Sequence, residues 1–112
     1  VTISREGMQR NSSLRVQPGQ TICIRAGHYG WLRFQDIKGT AAAPIRIVNC
    51  GGEVTVGSTT YNAGIQFWNC QHIMLTGSGD AQHTYGIKIT QTAGTGLNIN
   101  SFSSDVEVER LE

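Results

Sequence analysis

The sequence carries little charge, few cysteines and no long hydrophobic run, and each shortage excludes a class of protein. Charged residues make up 15% of the 112 residues and the formal net charge is +1, so the overall charge does not indicate a nucleic-acid partner. No apolar stretch approaches the roughly 20 residues that a membrane-spanning helix needs, which predicts that no segment spans a membrane. At this length the chain has room for one domain with a stable core.

The three cysteines, Cys23, Cys50 and Cys70, form no Cys-x-x-Cys motif, and the three histidines are scattered along the chain. Zinc sites need clustered nitrogen and sulfur ligands, so we expect no metal site. The odd number of cysteines leaves at least one thiol unpaired. The sequence has neither a Gly-rich phosphate loop nor a nucleophile elbow, and we expect no cofactor.

Glycine and short alternating apolar runs are abundant. Fourteen glycines accompany a hydrophobic content of 38%, a balance typical of turn-rich β proteins. Pairs of apolar residues each enclose one outward residue, and strict alternation of this kind predicts half-buried strands. The pairs are Ile22/Ile24, Leu32/Phe34, Ile45/Ile47, Val54/Val56, Ile65/Phe67, Ile73/Leu75, Ile87/Ile89, Leu97/Ile99 and Val106/Val108.

The starts of these runs fall into two series, which predict a solenoid. One series begins at residues 22, 45, 65, 87 and 106, the other at 32, 54, 73 and 97, and the step within each is about 19 to 24 residues. A fixed period in this range is typical of coils that each add one strand to two or more parallel sheets. An antiparallel sandwich, with strands every 8 to 12 residues or so, is the alternative. The solenoid is favoured because the hairpin dipeptides Asn-Gly and Asp-Gly do not occur.

One corner sequence recurs, since Val48-Asn49-Cys50 is matched further along the chain by Trp68-Asn69-Cys70. Equivalent residues of neighbouring coils lie about 4.8 Å apart, so the repeat predicts that Asn49 and Asn69 stack as a hydrogen-bonded ladder. Cys50 and Cys70 would then lie beside them as small buried thiols, with a disulfide between coils as the alternative.

Four short stretches carry a family resemblance. Pro18-Gly19-Gln20-Thr21-Ile22 leads into the first regular strand and Ala26-Gly27-His28-Tyr29 forms a corner; Lys38-Gly39-Thr40 and Ala43-Pro44-Ile45 follow. These motifs resemble the opening coils of right-handed parallel β-helix proteins, the pectin-lyase-like group that includes alginate and chondroitin lyases, although Gln20 replaces the usual acid. The resemblance implies an all-β right-handed parallel β-helix, a solenoid of about four to five coils. Residues 1–20 would form an N-terminal cap or irregular lead-in, and residues 21–112 the coils.

The predicted register places a tryptophan among cations on one outward face. Trp68 would stand at the centre of this face, with Arg25, Arg46 and Lys88 around it. An indole flanked by cations suits a sugar ring that carries a carboxylate or sulfate, through stacking and charge-assisted hydrogen bonds. We therefore predict that these four residues bind a ligand. The alternative is an ordinary solvated face, with Trp68 covered by a loop or by the first twenty residues.

Catalytic candidates are few. Glu107 and Glu109 alternate on one predicted strand and would point the same way about 7 Å apart, within the range of glycosidase carboxylate pairs. A plain surface strand is the interpretation that we favour. Asp36, Asp80 and the histidines fall at predicted corners, where turn roles are expected. No catalytic residue is assigned, because the resembled lyases take theirs from later coils.

The resemblance implies a secreted protein, extracellular, periplasmic or at the cell surface, that binds or processes an extracellular polysaccharide, with this stretch mainly structural. The sequence starts at Val1 without an initiator Met, so we expect a processed or excised chain. The repeat still runs at Leu111, which predicts a fragment of a longer β-helix, or an end covered by self-association or another chain. Two alternatives stay open: a structural or adhesive β-helix that associates through its open C-terminal coil, and a polysaccharide lyase or glycoside hydrolase with its site on the Trp68 face.

Overall fold

The structure, a computed structural model, describes residues 1–100 and 102–112, with position 100 described by its backbone alone. Strands account for 58% of the residues and helix for 4%, so the prediction of an all-β protein is confirmed. In chain order the elements are β1 (Thr2–Ile3), β2 (Gly7–Arg10), α1 (Asn11–Leu14), β3 (Thr21–Tyr29), β4 (Leu32–Gln35), β5 (Ile45–Ser58), β6 (Ala63–Trp68), β7 (Gln71–Thr76), β8 (Ile87–Thr92), β9 (Thr95–Asn100) and β10 (Ser104–Glu109).

The strands form two sheets. The larger sheet has the order β1-β3-β5-β7-β10, with β8 also pairing with β5, and the smaller sheet has the order β2-β4-β6-β9. Each of these pairings is parallel. Parallel strands need long connections, and here strands of the other sheet lie within those connections. The antiparallel sandwich is therefore wrong as an alternative.

β5 is long because it turns a corner within the larger sheet. Its first part pairs with β3 and β7, and its last part pairs with the end of β3 and with β8. Gly51 and Gly52 separate the two parts and have φ angles of 84° and 147°, values that only glycine adopts at little cost. A bulge in β3 between Arg25 and Gly27 lies beside this corner.

The predicted register of the runs was wrong. β3 does neighbour β5, as predicted, but Ile22 lies beside Ile47 and not beside Ile45, the first residue of that run. Ile45 lies beside Ile73, whereas Ile65 belongs to the other sheet. All the runs share a period of two residues. This period shows which side chains point inward, but it does not show which strands pair with each other. The two predicted series therefore mixed strands of different sheets.

The core lies between the two sheets and is built from the inward residues of the alternating runs. Phe34 of β4 stacks on Phe67 of β6, with ring centroids 5.6 Å apart, and both are fully buried. The first residues of the chain take part as well, because β1 pairs with β3 and β2 with β4. Val16, which follows α1, is also buried in this core. Residues 1–20 thus contribute one strand to each sheet.

The predicted ladder of Asn49 and Asn69 does not form, because Asn49 lies beside Ile24 in the register of β3 and β5. Asn49 is fully buried instead, and its side chain donates to the carbonyl of Gly52 at 2.8 Å and accepts from the amide of Gly79 at 2.9 Å. It thereby fastens the segment 77–86, which connects β7 to β8, against the corner of β5.

Asn69 lies at another corner and has a different partner. Its amide donates to the carboxylate of Asp36 at 2.8 Å. Both residues have left-handed backbones, with φ of 52° for Asn69 and 61° for Asp36. Asn and Asp adopt this conformation more readily than other residues with side chains. The stacked pair at this corner is therefore Asp36 with Asn69.

The prediction that Cys50 and Cys70 are small buried thiols is confirmed for Cys70 and wrong for Cys50. Cys23 of β3 and Cys50 of β5 form a disulfide, with their Cα atoms 5.5 Å apart. Cys70 is a buried free thiol whose Sγ lies 3.3 Å from the carbonyl oxygens of Phe34 and Trp68. Burial raises the pKa of this thiol from 9.0 to about 11. The alternative, a disulfide between Cys50 and Cys70, is wrong because the partner of Cys50 is Cys23.

Candidate functional site

The smaller sheet presents a cluster of aromatic and amide side chains on its outward side, which we call the aromatic face: Trp31, Arg33, Tyr61, Gln66 and Trp68. Trp31 directly precedes β4 and Tyr61 precedes β6, while the other three residues lie within these two strands. Arg33 alternates with the buried Leu32 and Phe34, so its side chain points away from the core. The parallel register sets Arg33 beside Gln66, which is why the two side chains meet.

The guanidinium of Arg33 is held over the indole of Trp68. Its Cζ lies 4.0 Å from the centroid of that ring and 5.7 Å from the ring of Trp31, distances that correspond to cation–π contacts. Its Nε donates to Oε1 of Gln66 at 3.1 Å. Among the described residues, no carboxylate lies within salt-bridge distance of this guanidinium. The positive charge of Arg33 therefore has no ion-pair partner in the described residues, and the guanidinium has four N–H donors beyond the one that Gln66 accepts.

Trp31 and Tyr61 close one end of the aromatic face. Their ring centroids are 5.8 Å apart at an interplanar angle of 45°. The hydroxyl of Tyr61 donates to the carboxylate of Glu6 at 3.4 Å, and the other oxygen of that carboxylate accepts from the amide of Gly30 at 2.9 Å. The two rings border a groove of about 240 Å³ together with Arg33, Asn62, Ala63 and Gln66. Rings, amides and a guanidinium around one groove are the groups that recognise sugars, which present both apolar C–H faces and hydroxyls.

Trp68 is less exposed than the sequence predicted. Its side chain is half-buried. Its Nε1 is buried and has no hydrogen-bond partner among the described residues. The face of the ring is covered by the guanidinium of Arg33. Trp68 is therefore the inner wall of the aromatic face, whereas Tyr61, with 36% of its surface exposed, is the more accessible ring.

The structure does not bring the four predicted ligand-binding residues together in one sheet. Trp68 lies on β6 of the smaller sheet, whereas Arg25, Arg46 and Lys88 lie on β3, β5 and β8 of the larger sheet. Lys88 is also engaged in ion pairs, because its Nζ lies 3.2 Å from a carboxylate oxygen of Glu53 and 3.7 Å from one of Glu112. The common face predicted for them followed from the wrong register. Their role as ligand-binding residues stays a prediction.

Sequence reasoning missed Arg33, Trp31 and Tyr61. Arg33 belongs to the run at Leu32, which the two predicted series separate from the run at Ile65 that leads to Trp68. Trp31 and Tyr61 precede the runs that begin at Leu32 and Ile65, so they lie outside the alternating pattern. The available signal was their position, since a large aromatic residue at each of two corners that precede paired strands suggests one shared cluster.

A second groove, of about 380 Å³, lies where β7 and β10 begin. His72 and Asp105 line it, with Nε2 of the imidazole 3.6 Å from Oδ2 of the carboxylate, and Glu107 also lines it. Glu109 does not, because its carboxylate accepts a hydrogen bond from the hydroxyl of Thr76 at 2.9 Å. The two glutamates thus have different surroundings, and Glu107 lines this groove without Glu109.

Asp80 fulfils the turn role predicted for it. Its carboxylate accepts from the amide of Gln82 at 3.0 Å and is hydrogen-bonded to the imidazole of His83. These hydrogen bonds, led by the one from the backbone amide, lower the pKa of Asp80.

Within the described residues there is no group of three His, Cys, Asp or Glu side chains arranged to hold a metal ion. Nor is there, in the same part of the chain, a helix long and apolar enough to cross a membrane.

Comparisons of the chain with known protein families, with curated proteins and with solved structures gave no match.

Proposed function

We propose that this chain is the N-terminal part of a secreted right-handed parallel β-helix, and that its aromatic face binds an extracellular polysaccharide. The remainder of the stretch is mainly structural. The strand order supports the architecture, since a chain that returns repeatedly to the same two sheets in parallel must wind as a coil. Parallel crossovers are right-handed in about 98% of cases, which supports the hand. The resemblance of residues 18–112 to pectin-lyase-like proteins, whose motifs lie between residues 18 and 45, agrees with both.

The observation that carries the binding proposal is the groove bordered by Trp31, Tyr61 and Arg33. An exposed ring offers a stacking surface for the C–H face of a sugar, and the guanidinium and the amide of Gln66 offer directed hydrogen bonds. The unpaired charge of Arg33 favours a saccharide that carries carboxylate or sulfate. Glu6 is the carboxylate in contact with this cluster, and glycoside hydrolysis requires two. Binding is therefore better supported at this face than catalysis.

The disulfide between Cys23 and Cys50 supports a location outside the reducing cytosol. Disulfides persist in extracellular and periplasmic compartments and are rare where glutathione and thioredoxin keep thiols reduced. We place the protein outside the cell, in the periplasm or at the cell surface. Detection of the oxidised form in material taken directly from its native source would test this location.

Binding is tested with immobilised acidic polysaccharides, including polygalacturonate and a sulfated glycan. We expect Tyr61→Ala to weaken binding about fivefold, because loss of one stacking ring removes about 1 kcal/mol. Tyr85→Ala is the matched control, since Tyr85 is an exposed tyrosine that lines a separate groove with His83 and Lys88. Equal effects of the two substitutions, or no binding by the unchanged protein, would contradict the proposal.

A second candidate function is self-association through the edge formed by β9 and β10. Ile99 and Phe102 expose 44% and 88% of their surface there, and Val106 and Val108 are only partly buried. Exposed apolar side chains beside unpaired strand edges favour pairing with another chain. Molar mass measured by light scattering over a range of concentrations tests this function. A constant monomeric mass would rule out self-association.

A further inference from the structure

We propose that Arg33 determines which saccharides the aromatic face accepts, because it favours ligands with an anionic group and opposes neutral ones. This inference rests on the proposed function, since it concerns the same face. Its basis is the position of one side chain: the guanidinium of Arg33 covers Trp68, is tethered to Gln66, and has no carboxylate partner among the described residues.

The guanidinium occupies the place where a sugar ring would stack. Its Cζ lies 4.0 Å from the centroid of the Trp68 ring, which is an ordinary contact distance and leaves no layer between them. A sugar that stacks on this side of Trp68 must therefore displace Arg33. The displaced side chain loses its contact with the ring and its hydrogen bond to Gln66, and the ligand has to compensate for both.

Neutral and anionic sugars differ in how well they compensate. Hydroxyl groups make neutral hydrogen bonds, whereas a carboxylate or sulfate accepts two parallel, charge-assisted bonds from one guanidinium. The ring of Trp31, whose centroid lies 5.7 Å from Cζ, gives the guanidinium a second aromatic surface on the side of the groove. An anionic group in the groove would thus hold Arg33 between itself and Trp31 while Trp68 becomes free.

The covering of Trp68 can be tested without any ligand. The chain has two tryptophans, so Trp31→Phe leaves Trp68 as the only indole fluorophore. In this background we expect Arg33→Ala to increase the acrylamide quenching constant of Trp68 about twofold or more, because the guanidinium and its stem shield the ring. Circular dichroism spectra and thermal midpoints of the variants verify that the fold is retained. An unchanged quenching constant in a folded variant would overturn the proposal.

Selectivity is tested with two polymers that share one sugar backbone, polygalacturonate and its methyl-esterified form, in which a methyl group removes the charge of each carboxylate. We expect Arg33→Ala to weaken binding of the acid about tenfold and to leave binding of the ester unchanged or stronger. Arg33→Lys, which keeps the charge but loses the planar fork, should retain part of the preference for the acid. Equal losses for both polymers would overturn the selectivity alone. If the unchanged protein binds neither polymer, the proposed function fails, and the selectivity fails with it.

Discussion

Removal of the Cys23–Cys50 disulfide is expected to destabilise the fold strongly. The two cysteines are separated by 27 residues, and closure of a loop of that length restricts the unfolded chain by about 3–4 kcal/mol in the chain-entropy description. The free energy of unfolding of a domain of this size is about 5–15 kcal/mol, so the bond supplies a large share of it. For a chain of 112 residues the same change lowers the thermal midpoint by about 10–15 °C.

Urea unfolding followed by circular dichroism measures this effect. The unchanged protein is compared with and without reductant, and alongside the double variant Cys23→Ala/Cys50→Ala. The reduced protein and the double variant should show similar losses, and reductant should not affect the double variant. Cys70→Ala provides the cysteine control, because that variant keeps the disulfide and should stay sensitive to reductant. A midpoint that does not move when the unchanged protein is reduced would refute the reasoning.

Two further predictions concern buried groups. Asn49→Ala should cost about 2–4 kcal/mol, because the amide of Gly79 and the carbonyl of Gly52 lose their partner. Asn69→Gly, which breaks one exposed contact with Asp36 and tolerates the left-handed backbone, should cost less than about 1 kcal/mol. Chemical denaturation of both variants makes the comparison, and equal losses would contradict it. The pKa of Cys70 is raised by burial to about 11, so the folded state favours the protonated thiol. Stability from this group is complete below pH 9, where the unfolded thiol is also protonated, and decreases by about 2–3 kcal/mol as the pH rises to 11. Comparison of the unchanged protein with Cys70→Ala over this pH range isolates the loss, and parallel profiles would show that Cys70 does not cause it.

The sequence predicted the strands well and their stacking poorly. The alternating pairs at Ile22, Ile65 and Ile73 all lie in strands, because burial of every second residue is a local property that the sequence records directly. Which strand neighbours which depends on the length of each connection and on corners such as Gly51-Gly52. These features carry no periodic signal, so the predicted series put the run at Ile65 into the wrong sheet and Trp68 onto the same face as Arg46 and Lys88.

The candidate site was predicted only in part, for the same reason. Trp68 belongs to the aromatic face, but its contact with Arg33 exists because β4 and β6 are direct neighbours, which the assumed series excluded. The disulfide shows a related limit. Repeated Asn-Cys corners predicted that Cys50 and Cys70 lie together as buried thiols, although the disulfide partner of Cys50, Cys23, lies in no similar sequence. The two similar Asn-Cys corners thus lie in different surroundings, because the connections between the strands differ in length.

The connection between β7 and β8 is a place where the chain can accept inserted residues. The amide of Gly86 donates to the carbonyl of Gly77 at 2.9 Å, so the two ends of the segment 77–86 are held together. Asn49 also holds the first part of this segment, because its side chain accepts a hydrogen bond from the amide of Gly79. Extra residues inserted between Ala81 and Gln82, which are both exposed, would replace the turn that Asp80 forms and enlarge a loop that is already closed at its base. Each doubling of a loop costs only about 0.6 kcal/mol. This corner is therefore a position where a binding loop of another specificity can be grafted while the strands on either side keep their register.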